Sequence, residues 1–208
     1  MKVLMVDDHV IVREGLRRLL IPMMRDVTIA EATNAADALT AFRTARPDIV
    51  LLDLNLPKGS GLELLRRLVA EDKDARVLIL TMHCEPIYAA RALEAGARGY
   101  ISKSAGATEL VNAIQKVAAG GRYVEHEIAA QLVLNSYGGG SSNPLDQLTT
   151  REIDIMRQLG EGKTLANIAG SLGVTYKTIA NSCSIIRNKL GIGRMADLIR
   201  LALEMRDL

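Results

Sequence analysis

The sequence predicts a doubly wound α/β domain with a five-stranded parallel sheet over residues 1–121, and an all-α, four-helix domain over residues 146–208. Short apolar runs alternate with amphipathic segments in the first part, which is typical of a parallel sheet covered on both faces. The stretch SYGGGSSNPL at 136–145 is too rich in Gly, Ser, Asn and Pro to hold a regular element. Residues 122–145 are therefore predicted to be a linker helix followed by a flexible tether.

Five apolar runs are predicted as strands because Val, Ile and Leu dominate them. They are VLMV at 3–6, TIAEA at 28–32, DIVLLDL at 48–54, RVLILTM at 76–82 and GYISK at 99–103. Each is followed by a segment of helical periodicity, as parallel crossovers require. The predicted helices are Val10–Leu20, Ala35–Ala45, Gly61–Glu71, Ile87–Ala95 and Thr108–Ala119.

Composition excludes several classes of protein. With 208 residues, of which 49% are apolar and 24% charged, the chain is expected to be globular. No apolar run reaches the roughly 18 residues that cross a bilayer and no signal-peptide pattern is present, so we expect a cytoplasmic protein without membrane association. Cys84 and Cys183 lie far apart and form no metal-ligand pattern, so neither a zinc site nor a disulfide framework is expected.

Charge is segregated along the chain. Residues 1–121 carry 16 Lys and Arg against 15 Asp and Glu, whereas Lys163–Arg194 carries five basic residues and no acidic one. A local excess of positive charge is expected where a protein meets a polyanion. The C-terminal domain is therefore the candidate for nucleic-acid binding.

Polar side chains stand at the carboxyl ends of four predicted strands, the edge at which doubly wound sheets bind ligands. Asp7 and Asp8 end the first strand, Asp53 the third, Thr81 the fourth and Lys103 the fifth. Clustered carboxylates repel unless a cation lies among them, and a hard oxygen site suits Mg²⁺. We predict a Mg²⁺ site in which Asp53 attacks a phosphoryl group, with Lys103 and the Thr81 hydroxyl stabilising the phosphoryl oxygens.

Residues 1–121 resemble a bacterial response-regulator receiver domain, whose fold is of the flavodoxin or CheY type. The matching segments are VDDH at the first strand end, LLDLNLPKGSGLELL around Asp53, LILTM around Thr81 and GARGYISKSA around Lys103. The resemblance implies that Asp53 is the phosphoacceptor of a sensor histidine kinase. It also implies that Thr81 and Tyr100 form the switch that responds to phosphorylation.

The same resemblance implies a particular set of metal ligands. Asp8, Asp53 and the backbone carbonyl of Asn55 are expected to bind Mg²⁺, and Asp7 is expected to act mainly through a bound water. His9 is expected to lie outside the ligand set, because it has no partner His one helical turn away.

The C-terminal domain is predicted to hold a helix-turn-helix. Thr149 and Glu152 form a capping box before the first helix, and Gly160 and Gly162 are expected to end that helix. TLANIAGSLGV followed by TYKTIANSCSIIRNKL gives a helix, a glycine-containing turn and a longer helix. The last predicted helix is Met195–Met205.

The longer helix has one apolar stripe, because Ile179, Cys183, Ile186 and Leu190 recur at helical spacing. Small and amide side chains flanked by cations cover the other side, which suits a major groove: Asn can bond adenine and cations contact phosphates. The predicted DNA-binding residues are Lys177, Thr178, Ala180, Asn181, Ser184, Arg187, Asn188 and Lys189.

Residues 146–208 resemble the LuxR-type DNA-binding domain through LTTRE, NIAGSLGV, KTIAN and NKLGI, and the whole chain resembles a NarL/FixJ-type response regulator. The resemblance implies double-stranded DNA as a partner, a homodimer on DNA that pairs through the last helix, and no multiple-turnover enzyme activity. Ala180 stands where the family often has Lys, and Ser182 where it has His or Tyr. The operator sequence therefore does not follow from the resemblance.

Two alternatives belong to other classes. A phosphatase or phosphotransferase of the haloacid-dehalogenase kind would use Asp53 as nucleophile, but it needs a carboxylate two positions later, where this chain has Asn55. A phosphorylation-independent DNA-binding regulator would keep the helix-turn-helix and carry a vestigial receiver. The response of DNA affinity to a phosphoryl analogue separates this second alternative from the main prediction.

Overall fold

The computed structural model describes residues 1–56, 61–82, 86–137 and 147–204. The chain divides into two compact units, Met1–Gly139 and Gly140–Leu208. The first two residues of the predicted tether end a helix, and the rest of the tether lies outside the described residues. Within the described ranges, no helix combines the length and the apolar character needed to cross a membrane.

A six-stranded parallel sheet with the order β2-β1-β3-β4-β5-β6 forms the centre of the first unit. The two central strands β3 and β4 are wholly buried, as their unbroken apolar runs predict. The strands are β1 (Lys2–Val6), β2 (Thr28–Ala32), β3 (Ile49–Leu52), β4 (Val77–Thr81), β5 (Gly99–Ser102) and β6 (Tyr123–Val124).

The prediction of five strands is wrong by one, because β6 pairs in parallel with β5 through Gly99 opposite Tyr123 and Tyr100 opposite Val124. Two residues are too few to give a periodic signal in the sequence. The Tyr123 hydroxyl donates a hydrogen bond to the Glu109 carboxylate over 2.7 Å. Burial, with this carboxylate, raises the pKa of Tyr123 to about 12.

Helices cover the sheet in two rows: α1 packs beside α5, whereas α2, α3 and α4 pack in series. Asn34 begins α2, and its side-chain oxygen accepts hydrogen bonds from the backbone of Ala36 and Asp37 over 3.0 Å each. The last helix of this unit packs against α4. The helices are α1 (Val10–Met23), α2 (Ala35–Ala45), α3 (Gly61–Glu71), α4 (Pro86–Glu94), α5 (Ala107–Ala118) and α6 (His126–Tyr137).

Four helices form the second unit: α7 (Thr150–Gly160), α8 (Leu165–Ser171), α9 (Tyr176–Leu190) and α10 (Met195–Glu204). The predicted capping box is confirmed, because Thr149 Oγ1 accepts the Glu152 N–H over 3.3 Å and the Thr149 N–H donates to Glu152 Oε2 over 2.6 Å. The core of the unit includes Ile153, Met156, Ile168, Ile179, Cys183, Ile186, Leu198 and Ala202.

Helix α7 ends at Gly160, as the sequence predicts, and a Cβ there would lie 2.3 Å from the Ala202 backbone oxygen. The missing side chain lets α7 and α10 approach closely. The turn that follows contains Gly162, whose φ of +77° is left-handed and suits glycine.

Candidate functional site

Two carboxylates are buried where the neighbouring strands β1 and β3 end. Asp7 and Asp8 follow β1, Asp53 follows β3, and the connections leave this strand pair in opposite directions, the position at which doubly wound sheets bind ligands. The Asp53 N–H donates to the Val6 carbonyl over 2.9 Å, and the Asp7 N–H donates to the Ala32 carbonyl over 3.1 Å. Asp7 is 4% exposed and Asp53 is 3% exposed. The sheet therefore fixes both carboxylates in one pocket, called here the acidic pocket.

Lys103 enters the acidic pocket from the end of β5. Its Nζ lies 2.6 Å from Asp7 Oδ2 and 2.5 Å from Asp53 Oδ2. Its backbone N–H donates to the Thr81 carbonyl over 2.8 Å, which ties the lysine to the end of β4. One buried ammonium thus bridges two buried carboxylates, and the four strands that carry these residues are brought together as the sequence predicts.

Burial and charge act against each other on the titrating groups of the acidic pocket. Burial raises the pKa of the Asp53 carboxyl above its ordinary value, although the Lys103 ammonium and the Asn55 N–H act in the opposite direction. Burial alone would lower the pKa of Lys103, but Asp53 and Asp7 outweigh it, so that pKa is raised. Lys103 is therefore held as a cation, and one ammonium does not fully offset the burial of Asp53.

The donor set of the acidic pocket fits a small cation. Ligand atoms of Asp7, Asp8, His9 and Asp53 all lie within 4.8 Å of one another. Three carboxylates face the single charge of Lys103, so a hard divalent ion such as Mg²⁺ suits the remaining negative charge and the oxygen donors. Asp8 is exposed, which leaves the cluster open to water.

His9 also lies in this cluster, which its spacing in the sequence does not predict. Its Nδ1 lies 3.1 Å from Asp7 Oδ1 and 2.9 Å from Asp8 Oδ1, and its backbone N–H donates to Asp7 Oδ1 over 2.8 Å. A metal-binding His is usually recognised by a second His one helical turn away. The contacts of His9 with Asp7 and Asp8 arise instead because it directly follows them in the chain. Imidazole is a poor ligand for Mg²⁺, so the contact orders the loop rather than adding a magnesium ligand.

The remaining predicted residues of the first unit lie around this pocket. Asn55 is exposed and its backbone N–H donates to Asp53 Oδ1 over 3.2 Å. Thr81 ends β4 opposite Ser102, and Tyr100 lies opposite Ile79 in the same strand pair. Thr81 and Tyr100 are both 0% exposed.

Arg13 supports the loop that carries the acid pair, a role that the sequence did not indicate. Its Nη1 donates to the Asp7 backbone carbonyl over 2.8 Å, while its Nε donates to the Glu31 carboxylate over 2.9 Å. Glu31 also accepts hydrogen bonds from Arg17, and these arginines lower the Glu31 pKa, with burial opposing them. Arg13 and Arg17 are spaced i and i+4 on α1, so the sequence could have placed them on one face of the helix but could not have identified their partners.

Gly61 allows α3 to begin against the loop that carries Asp53. A Cβ at Gly61 would lie 2.3 Å from the Asp53 backbone oxygen and 2.6 Å from Leu54 Cα. Its N–H donates to the Leu54 carbonyl over 3.0 Å. The start of α3 therefore lies too close to the Asp53 backbone to leave room for any side chain at position 61.

On α9, the outward side is mostly polar and carries no acidic group. The residues Ile179, Cys183 and Ile186 are buried, and Leu190 is only partly buried. Of the predicted DNA-binding residues, four are exposed: Lys177, Thr178, Asn181 and Asn188. Ala180, Ser184, Arg187 and Lys189 are partly buried.

Two of the predicted DNA-binding cations bond to the second unit itself. Lys189 Nζ lies 2.9 and 2.7 Å from the two carboxylate oxygens of Glu152. Arg187 Nη1 donates to the Gly193 carbonyl over 2.7 Å. Lys189 thus links α9 to the start of α7, and Arg187 links it to the turn before α10. Both contacts favour a packing role for these two side chains.

The apolar residues of α10 divide between core and surface. Leu198 and Ala202 are buried at 0% and 1% exposure, whereas Ile199 and Leu203 are 38% and 45% exposed. The exposed pair is spaced i and i+4, so it forms one small apolar stripe on the surface of the unit.

A doubly wound sheet with a lysine-bridged acidic pocket, in one chain with a helix-turn-helix unit, defines a receiver coupled to a DNA-binding domain. Two family models match the chain in the same order. The response regulator receiver domain matches residues 3–115, and the luxR family of bacterial regulatory proteins matches residues 146–202.

Whole-chain relatives agree with this class. The methanol utilization control regulatory protein MoxX of Paracoccus denitrificans is 38% identical over 202 residues, covering 96% of this chain and 89% of the relative. The response regulator UvrY of Escherichia coli K12 is 35% identical, covering 97% of this chain and 93% of the relative. A crystal structure of a LuxR-family two-component response regulator from Aurantimonas sp. SI85-9A1 is 42% identical, with a TM-score of 0.60, over 65% of this chain and 96% of that one.

The chain belongs to the two-component response regulators that combine a receiver domain with a LuxR-type DNA-binding domain. It is a transcriptional regulator of that family.

Proposed function

We propose that this regulator is switched by Mg²⁺-dependent transfer of a phosphoryl group from a sensor histidine kinase to Asp53. The observation that carries the proposal is the Lys103 ammonium, 2.6 Å from Asp7 and 2.5 Å from Asp53. An ammonium in this position can neutralise the Asp53 carboxylate before transfer and bind an oxygen of the phosphoryl group bonded to it afterwards.

In the proposed reaction, Asp53 is the nucleophile of an in-line displacement. A carboxylate oxygen of Asp53 forms a bond to phosphorus while the bond from phosphorus to the donor imidazole nitrogen breaks, and the released imidazole takes a proton from water. A Mg²⁺ ion held by Asp8, Asp53 and the Asn55 carbonyl, with Asp7 acting through a bound water, would neutralise the phosphoryl oxygens.

After transfer, Lys103 and Thr81 are proposed to hold the phosphoryl group. Lys103 supplies a point charge to its oxygens, and the Thr81 hydroxyl donates a hydrogen bond to one of them. Movement of Thr81 toward the phosphoryl group would change the packing around Tyr100, which is fully buried one strand away. A difference of about 1–3 kcal/mol between the two states is enough for such coupling.

The proposed donor is a protein because the acidic pocket opens beside an apolar cleft. The cleft has a volume of about 350 Å³ and its lining includes His9, Ile11, Leu16, Met82 and Lys103. Ile11 is 88% exposed and Met82 is 66% exposed. A kinase domain that covers these side chains would bring its phosphohistidine to the pocket and exclude water from the transfer.

The proposed output is binding of a homodimer to double-stranded DNA, with α9 in the major groove. Lys177 is expected to contact phosphate, and Asn181 and Asn188 are expected to read base edges. Ile199 and Leu203 are the proposed centre of pairing between two copies, since they form the exposed apolar stripe of α10. The proposed site of action is the cytoplasm, where bacterial DNA lies.

Each Asp53 accepts one phosphoryl group, so the chain is proposed to be a stoichiometric phosphoacceptor and not a multiple-turnover enzyme. Asn55 supports this view, because an aspartyl phosphatase of the haloacid-dehalogenase kind needs an acid at that position. Steady turnover of a phosphomonoester would contradict it.

The test is DNA affinity with and without beryllofluoride and Mg²⁺, measured by fluorescence anisotropy on a site obtained by in vitro selection. The proposal predicts tighter binding with the analogue in the wild type and no change in Asp53→Ala. It also predicts that log K falls with log salt, by about 0.9 per phosphate contact. Equal affinity with and without the analogue would favour the regulator with a vestigial receiver.

A further inference from the structure

The outermost face of α9 carries one apolar side chain, Ile185, which is 50% exposed. Five residues after the start of the helix are exposed: Lys177, Thr178, Asn181, Ile185 and Asn188. At 3.6 residues per turn these positions fall on a single face about 100° wide, opposite the buried stripe of the helix. Asn181 and Asn188 lie near the middle of this face, and Ile185 lies beside them.

A single exposed isoleucine is common on protein surfaces and by itself needs no explanation. The neighbours of Ile185 make this position different. Asn181 lies one turn before it and Asn188 one turn after it, and both are exposed. No acidic residue occurs between Lys163 and Arg194. A polyanion is therefore the partner whose charge complements the surroundings of Ile185.

The chemistry of an A·T base pair matches this arrangement. In the major groove an Asn amide can bond adenine through N6 and N7, while the thymine opposite presents its C5-methyl group to apolar side chains. An asparagine and an isoleucine one helical turn apart can thus contact the two kinds of group that distinguish A·T-containing sites. A small residue at position 185 could not cover the methyl group as completely.

We propose that Ile185 contacts the 5-methyl group of a thymine in the operator and is a specificity-determining residue of this regulator. The inference rests on the proposed use of α9 as the helix that enters the major groove. It adds an apolar contact to the polar residues predicted from the sequence, and it identifies thymine as the base that the contact selects.

The test replaces the methyl group and the side chain in turn. A DNA site is first selected in vitro with the full chain, beryllofluoride and Mg²⁺. Each thymine of that site is then replaced by uracil, which lacks only the methyl group, and the Kd is measured by anisotropy for the wild type and for Ile185→Ala. Ile21→Ala is the matched control, because it removes an isoleucine of α1 that is 53% exposed in the first unit.

The wild type and the control are expected to lose about fourfold in affinity when one particular thymine of a half-site becomes uracil, the value for burying one methyl group. Ile185→Ala is expected to bind the thymine site more weakly and to lose nothing further with uracil. The wild-type series tests the contact without any substitution in the protein. A wild type that is insensitive at every thymine, or an Ile185→Ala variant as sensitive as the wild type, would overturn the proposal.

Failure of the proposed function gives a different result. If α9 does not read DNA, selection with the wild type yields no enriched sequence, and Ile185 then has no operator to contact. If the selected site binds with the expected salt dependence but ignores thymine methyl groups, DNA binding stands and only the role of Ile185 is contradicted.

Discussion

Lys103 Nζ lies 2.5 Å from Asp53 Oδ2, and the two side chains are 8% and 3% exposed. The same ammonium lies 2.6 Å from Asp7 Oδ2. A buried cation shared by two carboxylates satisfies both of them, and it also places the charge that a phosphoryl group on Asp53 needs. The stability of the acidic pocket and the proposed phosphoryl transfer therefore both depend on the Lys103 side chain.

Replacing Lys103 by Met is expected to destabilise the first unit. Two buried carboxylates would lose their counter-charge, and breaking a buried pair typically costs about 3–5 kcal/mol. Urea unfolding followed by circular dichroism measures the change, and Mg²⁺ is expected to restore part of the loss. Lys73→Met, at an exposed position, is the control and is expected to change stability by less than about 0.5 kcal/mol. Equal unfolding of the two variants would contradict the buried bridge.

Two glycine substitutions are expected to change the free energy of unfolding in opposite directions. Gly61→Ala forces a Cβ to within 2.3 Å of the Asp53 backbone oxygen, whereas Gly15, exposed within α1, has nothing within 4 Å of its ideal Cβ. Overpacking of this kind typically costs about 1–3 kcal/mol, and alanine in an exposed helix gains about 1 kcal/mol over glycine. Thermal unfolding compares the two variants. A Gly61→Ala protein as stable as Gly15→Ala would show that α3 does not press on the Asp53 loop.

Acid is expected to weaken the second unit through Glu152. Burial alone would raise the pKa of this carboxyl, but hydrogen bonds from Lys189 and Thr149 outweigh it and hold the pKa below its ordinary 4.5. A carboxyl with a lowered folded pKa adds stability that is present above its unfolded pKa and is lost as pH falls through the folded value.

The stability of the wild type is therefore expected to fall more steeply below about pH 4.5 than that of Glu152→Gln, which does not titrate. Urea midpoints of both proteins, measured between neutral pH and mild acid, provide the comparison. Parallel curves would mean that the bonds from Lys189 and Thr149 do not stabilise the folded state.

The acidic pocket could be predicted because a parallel sheet leaves few choices. Once the strands of 3–6, 48–54 and 99–103 are recognised, their carboxyl ends are expected at one edge of the sheet. Asp7, Asp53 and Lys103 lie at those ends and are therefore expected to be close together. The contacts of His9 and Arg13 were missed because they depend on how one loop turns, which no periodicity encodes.

On α9 the sequence predicted which face is buried but not which basic side chains bond to other residues of the second unit. Lys189 and Arg187 bond to Glu152 and Gly193, and both partners lie far from the helix in sequence or beyond its end. Such contacts require knowledge of how helices pack. Ile185 lies outside the apolar stripe of α9, and a single exposed apolar residue is too common on protein surfaces to indicate a contact.

The most direct test of the central claim is phosphorylation of the full chain by acetyl phosphate with Mg²⁺, read by intact-protein mass spectrometry. The wild type is expected to gain one phosphoryl group, and Asp53→Asn none. Asp48→Asn is the matched control: Asp48 is exposed just before β3, and its Oδ2 accepts the Lys2 N–H over 2.7 Å at the opposite edge of the sheet. It is expected to label like the wild type. Label that persists in Asp53→Asn would contradict the assignment of Asp53 as the phosphoacceptor.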